Sequence, residues 1–409
     1  MSLPIPDREP ERHEHHERPI DDPAVSVGRR FSGLEGYRGI AAVAIVVFHV
    51  YQSVDRRAAD HFADKSSVTY TMLHGLDSFV AMFFVLSAFL LALPYMSAAL
   101  HGHYAPNGRA FLLRRATRVV PLYFVAILIV WSARNPAILG DWVDLVKHLT
   151  FTHVYDQERI FYTIGPAWSL AIEVQFYVVL AVGGWLATVI TRRLPERWRL
   201  PFLVTGVLLL GLASIAWKWW AAYVLEAPGD AWHIWYGLPA KLDEFALGMM
   251  LAIVVAQRRW SMGVRSMWIT RIIGILVLVV AFATRPPGAH EHLWFHTITA
   301  VGFVLILASS VMGPQDRWVR ALSMPALAFL GLISYSLYMW HEAVILLFTD
   351  QWDFPPADMT GAVIVTLAVV LPVALGVAWL SYHLIEEPMG KLRMLFDRHG
   401  RSRDYYNGD

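Results

Sequence analysis

Apolar residues gather into repeated runs of about 20, the length of a helix that crosses a bilayer. Short clusters of charged and turn-forming residues separate them. The runs lie near 37–54, 75–96, 118–134, 166–190, 201–224, 236–256, 269–284, 293–312, 326–348 and 360–384. They predict an all-α, polytopic transmembrane domain over 31–390 with about ten spanning helices. Residues 1–30 are rich in Asp, Glu, Arg, His and Pro and read as a disordered tail. Residues 391–409 read as a short basic tail. Between the third and fourth runs, about 135–165, the segment DWVDLVKHLTFTHV has helical apolar spacing suited to lying along a membrane interface. No internal repeat of about 20–50 residues stands out.

Composition agrees. The 409 residues are 56% hydrophobic and 16% charged, with a mean hydropathy of +0.44. The chain has no cysteine, which excludes a thiol nucleophile, a disulfide framework and zinc–thiolate sites. The N-terminus lacks the short apolar core of a cleavable signal. Net charge is +1, so the position of the cations says more than their number. Arg29, Arg30, Arg109, Arg114, Arg115, Arg192, Arg193, Arg258, Arg259 and Arg317 fall in the N-terminal tail and in alternate loops. The opposite loops hold Asp55, Asp141, Asp144, Asp156, Glu158 and Asp350 with fewer cations. That bias predicts both termini in the cytoplasm; the expected location is the plasma (inner) membrane, as a multi-pass protein.

Candidate chemistry begins in the first run. Eleven positions separate Arg38 from His49, a rotation of three turns plus about 20°, so the two share a helix face about 16 Å apart. An imidazole inside an apolar span is a functional candidate, the alternative being a packed histidine bonded to a neighbouring helix. In the fourth run, Glu173 lies about 10 Å from the helix start. A Glu173–His49 pair would fix the histidine's tautomer; a structural ion pair is the alternative for Glu173. The ninth run carries Ser334-Tyr335-Ser336-Leu337-Tyr338-Met339-Trp340-His341, a hydroxyl and aromatic stripe. Arg115 and Arg118 stand three apart on one helix face, and guanidinium pairs suit phosphate. The positive-inside bias explains such arginines equally well. A ligand joining the arginines to His49 would be about 15 Å long or more, the shape of a coenzyme A thioester. His13, His15 and His16 lie in the polar tail without ligands at fixed spacing, and no metal site is expected.

Several ordered motifs resemble the acyltransferase-3 family of integral membrane O-acyltransferases. They are Arg38-x10-His49, Phe83-Phe84-Val85-Leu86-Ser87, Arg115-x2-Arg118, Gly165-Pro166-x-Trp168-Ser169-x3-Glu173-x2-Phe176-Tyr177, Ser334-Tyr335-x-Leu337-Tyr338-x-Trp340-His341 and Ile385-Glu386-x-Pro388. The resemblance implies acyl transfer from cytoplasmic acyl-CoA, as co-substrate rather than resident cofactor, to a hydroxyl of an extracytoplasmic glycan or glycolipid. It implies His49 as the catalytic histidine, with Glu173 as a further site residue. Arg38, Arg115 and Arg118 would hold the donor, with Lys241 where the family carries arginine. Trp168, Ser169, Tyr177, Tyr338 and His341 would line the site or the acceptor. The chain departs from the family at Ala81, where an acidic residue is usual, and at Ala88, where glycine is. The residues leave open whether His49 is a base or a covalent acyl carrier, and whether the group is acetyl or succinyl. A second reading is a proton-coupled transporter or flippase of an anionic or acylated molecule, because intramembrane His and Glu suit carriers. Against it stands the lack of an inverted repeat.

Overall fold

The structure is a computed structural model that describes residues 33–57, 67–135, 140–257, 259–286, 288–356, 359 and 361–391. The tails expected at 1–30 and 391–409, with His13, His15 and His16, lie outside the described residues apart from Lys391. The described chain is helical and holds no strand. In order, its helices are α1 (Leu34–Arg57), α2 (Val68–Gly75), α3 (Phe79–His101), α4 (Gly108–Arg134), α5 (Trp142–Leu149) and α6 (Ala167–Arg193). Then come α7 (Glu196–Tyr223), α8 (Trp232–Trp235), α9 (Leu238–Ala256), α10 (Val264–Ala283) and α11 (Ala289–Met312). The last are α12 (Arg317–Leu322), α13 (Pro325–Leu332), α14 (Ser334–Leu346) and α15 (Ala362–Ser381).

All ten expected runs are helical, but they are not ten equal spans. Among the described residues, eight helices are long and apolar enough to cross a membrane, counting α2 with α3 as one. The protein is therefore an integral, multi-pass membrane protein. The ninth run is broken: α13 and α14 meet at 69°. Ile333, at φ −89° and ψ 4°, closes one helix and caps the next. The remaining run, α9, carries Lys241, Asp243 and Glu244 near its start, too many charges for an apolar span. These are buried but paired. Lys218 donates to Asp243 at 2.6 Å and Ser214 to the same carboxylate at 2.9 Å, while Lys241 and Glu244 stand 3.1 Å apart. Pairing of this kind lets ionised groups sit at membrane depth.

Burial divides the bundle into a centre and a rim. On α7 and α10 the apolar residues Leu208, Leu209, Leu212, Ile272 and Leu276 face outward, while Lys218 and Arg271 are buried. Such inverted helices suit a lipid-facing rim. The centre is built by α1, α3, α6, α9 and α14. Phe245 of α9 stacks on Phe176 of α6 at 4.0 Å and meets Phe84 of α3 at 4.7 Å. The packing of α1 on α12 and α13 is closer still. A Cβ on Gly36 would stand 2.2 Å from the Leu322 carbonyl oxygen, and one on Gly331 only 2.0 Å from that of Glu35. Only glycine permits backbones to meet this way, and the crossing fixes the rotation of α1 that aims Arg38 and His49 inward. The short α5 exposes Trp142, Val143 and Val146 while burying Asp144 and His148, so its outward side is the apolar one.

Candidate functional site

Two chambers stand at opposite ends of one line through the centre. The histidine chamber, about 270 Å³, is lined by His49, Trp168, Lys241, Tyr338 and Glu342 among others. The arginine chamber, about 190 Å³, is lined by Glu35, Arg38, Ser87, Arg115, Arg118, Glu173, Tyr177 and Tyr335. A narrow cavity of about 50 Å³ lies between them and carries Ser169 and Ser334 on its wall. It shares Arg38, Ser87, Glu173 and Tyr335 with the arginine chamber and Tyr338 with the histidine chamber. Helix α1 spans the line, with Arg38 at one end and His49 at the other.

In the histidine chamber the hydrogen bonds assign the tautomers. His341, fully buried, has Nδ1 3.1 Å from the Leu337 carbonyl, so that nitrogen carries the proton and donates. Its Nε2 then accepts. His49 Nδ1 stands 3.0 Å from that Nε2 and 3.1 Å from the Ile45 carbonyl, so the His49 proton also sits on Nδ1. The lone pair of His49 is left on Nε2, the form needed by a general base. The break before α14 matters to this arrangement. It lets one face of α14 place Tyr335 in the arginine chamber, Tyr338 in the neck and His341 behind His49.

The start of α6 forms the facing wall. Thr163, Ile164 and Ala167 are buried, so the helix begins inside the bundle rather than at its surface. The Gly165 N–H donates to Glu342 at 2.5 Å. The Ser169 and Tyr338 hydroxyls lie 2.7 Å apart, and Tyr338 donates to the Pro166 carbonyl at 3.2 Å. Trp168 stacks on Tyr236 with centroids 4.2 Å apart, and the Lys241 ammonium lies 5.7 Å and 5.2 Å from the two rings. The loop before α6 is pinned by Asp156, which takes hydrogen bonds from Lys147 and from Arg159 at 3.1 Å. Burial pushes the Asp156 carboxyl up. Hydrogen bonds from Lys147, the Glu158 backbone and Arg159 outweigh it and hold the pKa at about 2.

The deep start of α6 corrects the expected Glu173–His49 pair. Counting from a helix start at the surface put Glu173 beside His49. Because α6 starts inside, Glu173 lies in the arginine chamber, where Ser87 donates to it at 2.5 Å. His341 and the Ile45 carbonyl hold His49 instead. Arg38, Arg115 and Arg118 are brought together as expected, with Tyr177 beside them. Arg38 Nε is buried with no hydrogen-bond partner among the described residues. Glu386, of the Ile385-Glu386-x-Pro388 motif, accepts from Ser336 at 2.5 Å. Lys241 is separated from the arginines and faces the histidine chamber with Trp168. Phe161, Trp232 and Tyr236 also line the histidine chamber. Sequence reasoning passed over Glu342, which directly follows His341 and lines the histidine chamber.

A family model described as an acyltransferase domain matches residues 31–383. The chain is also similar to a Staphylococcus aureus protein named for O-acetyl transfer, 25% identical over 390 residues, covering 89% of this chain and 58% of the relative. A Bacillus subtilis protein named for peptidoglycan O-acetyl transfer is 25% identical, covering 88% of this chain and 55% of its own. The peptidoglycan O-acetyltransferase of Listeria monocytogenes is 24% identical with the same two coverages. The chain spans a little over half the length of these relatives. No solved structure matches it.

Proposed function

Because the chain belongs to the acyltransferase-3 family of membrane O-acyltransferases, we propose that it moves an acetyl- or succinyl-type group from acyl-CoA to a hydroxyl of a cell-envelope glycan or glycolipid. The observation that carries this reading is the line of cavities joining three arginines to one neutral histidine about 16 Å away. In this reading the arginine chamber opens to the cytoplasm of a plasma-membrane protein with both termini inside. Arg38, Arg115 and Arg118 hold the phosphates of the donor, a role supported by the buried, unsatisfied Arg38 Nε. The pantetheine arm passes Ser169 and Tyr338 through the neck, which places the thioester in the histidine chamber. There the acceptor hydroxyl gives its proton to His49 Nε2 as its oxygen bonds the thioester carbonyl carbon. The carbon–sulfur bond then breaks, and the proton on His49 passes to the departing thiolate. His341 keeps the His49 proton on Nδ1 throughout. Lys241, boxed by Trp168 and Tyr236, is one of the cations on the chamber wall, with Arg56 and Arg134, that can act on the oxygen that becomes negative in the transition state.

The test is acyl transfer by the purified full chain in detergent, with labelled acyl-CoA and a glycan acceptor. A folded His49→Ala protein is expected to lose about 10²- to 10⁴-fold in kcat. Full activity in that variant would reject the mechanism. A carrier could also use a line of cavities. Labelled acyl-CoA separates the two readings: an enzyme releases free CoA when acceptor is added, and a carrier binds and returns the thioester intact.

A further inference from the structure

We propose that Glu291, His292 and His296 at the start of α11 bind one divalent metal ion of the zinc class beside the histidine chamber. One ligand atom from each of the three residues lies within 4.8 Å of the other two. The histidines are four apart on one helix, with rings nearly parallel at 13°.

The hydrogen bonds point to an ion. His292 Nε2 lies 2.8 Å from the Gly229 carbonyl, which makes it the protonated nitrogen and leaves a lone pair on Nδ1. That Nδ1 is buried with no partner among the described residues, and so is His296 Nε2. Donation of the second ring nitrogen to a carbonyl is the usual support of a metal-bound histidine. Two imidazole nitrogens left dry and unbonded are costly without something to satisfy them. Stacking on Trp235, with centroids 5.2 Å apart, fixes the His292 ring. Arg285 holds Glu291 at 2.6 Å and is itself bound by Asp77.

Around the cluster carboxylates outnumber cations by one, with Glu291 counted among them. The cations that act on His296 are Lys241, Arg285 and Lys218. Each is engaged by a carboxylate: Lys241 by Glu244, Arg285 by Asp77 and Glu291, and Lys218 by Asp243. Two nitrogens and one carboxylate oxygen make a donor set that zinc accepts, and three protein ligands leave a fourth position free. Of the three, His296 lines the chamber that holds His49. Donors around a tetrahedral zinc stand about 3.4 Å apart. Loading therefore draws the three side chains closer than they stand here. The proposal is independent of the catalytic reading.

The experiment uses the full chain with His13, His15 and His16 replaced by Gln, because the polar tail would take up zinc by itself. Chelator-stripped protein is titrated with Zn²⁺ by calorimetry and checked by elemental analysis. One equivalent is expected, with His292→Asn and His296→Asn each weakening it at least tenfold. Glu291→Gln keeps both imidazoles and is expected to weaken binding less. Cobalt(II) in place of zinc reads the geometry: visible absorption lost in His296→Asn supports the site, and absorption unchanged in it counts against it. Absence of stoichiometric zinc in the tail-substituted chain would mean that water alone satisfies these nitrogens, and would overturn the proposal. So would equal affinity in all three variants.

Discussion

The two chambers are built in opposite ways. Around the arginine chamber, charge is concentrated: three guanidinium groups share a cavity of about 190 Å³ with Glu35 and Glu173. Around His49 the groups are neutral or paired, although Arg56, Arg134 and Asp350 also line the histidine chamber. His49 and His341 form a chain of neutral rings, Lys241 is matched by Glu244, and Glu342 takes a backbone N–H. The first arrangement attracts an anion and would be strained without one. The second keeps a neutral proton acceptor ready among charges that make no bond to it. A cavity that holds a ligand and a cavity that reacts with it thus need different electrostatics, and one helix, α1, supplies the key residue to each.

The sharpest way to break that contrast is to exchange the effects of its two ends. His49→Ala is expected to remove about 10²- to 10⁴-fold of kcat with little change in the KM for acyl-CoA. Arg118→Ala is expected to do the reverse. Loss of one charged hydrogen bond of about 1.5–3 kcal/mol raises KM by about 13- to 160-fold and leaves kcat within about threefold. Steady-state kinetics over acyl-CoA concentration give both values. If Arg118→Ala lowered kcat alone, the arginine chamber would not be a donor site.

How far the sequence foretold these ends differs too. The arginine chamber was legible because its spacings are local. Arg38-x10-His49 and Arg115-x2-Arg118 are statements about one helix face, and helical geometry turns them directly into positions. The ten helical runs were legible for the same reason, since each run carries its own apolar length. What was not legible was depth. Glu173 was placed beside His49 by counting from a helix start assumed to lie at the surface, and the buried Thr163–Ala167 segment moves that start inward. The bend at Ile333 was equally hidden. It arises where α13 presses on the backbone of α1 at Gly331, a contact between residues almost three hundred positions apart. His341 drew notice in the sequence, but its bond to His49 depends on that bend.

His341 provides the next test, with a smaller expected effect. His341→Phe removes the acceptor of the His49 Nδ1 proton and leaves only the Ile45 carbonyl. One net hydrogen bond of about 0.5–1.5 kcal/mol corresponds to a fall in kcat of about 2- to 13-fold. The pH dependence of kcat should move with it, while the KM for acyl-CoA stays put. His341→Gln can still accept from His49 through its side-chain oxygen and should recover part of the loss. A packing role alone would lower the thermal midpoint in both variants and leave the pH dependence where it was.

Glu173→Gln should have the smallest effect, and it bears most directly on the difference between the chambers. Glutamine keeps an oxygen for the Ser87 hydroxyl, which donates to Glu173 at 2.5 Å. The substitution therefore removes one negative charge and little else. In the arginine chamber that charge competes with an incoming phosphate for the guanidinium groups. Its loss should lower the KM for acyl-CoA by about two- to fivefold, the scale of a partly exposed ion pair worth about 0.5–1 kcal/mol. Raising the salt concentration should shrink the difference, because screening weakens the competition. Neither kcat nor its pH dependence should change beyond about twofold, because no bond reaches from this carboxylate to His49. A hundredfold fall in kcat with a displaced pH dependence would put Glu173 back beside the catalytic ring, and the separation of the two chambers would fail with it.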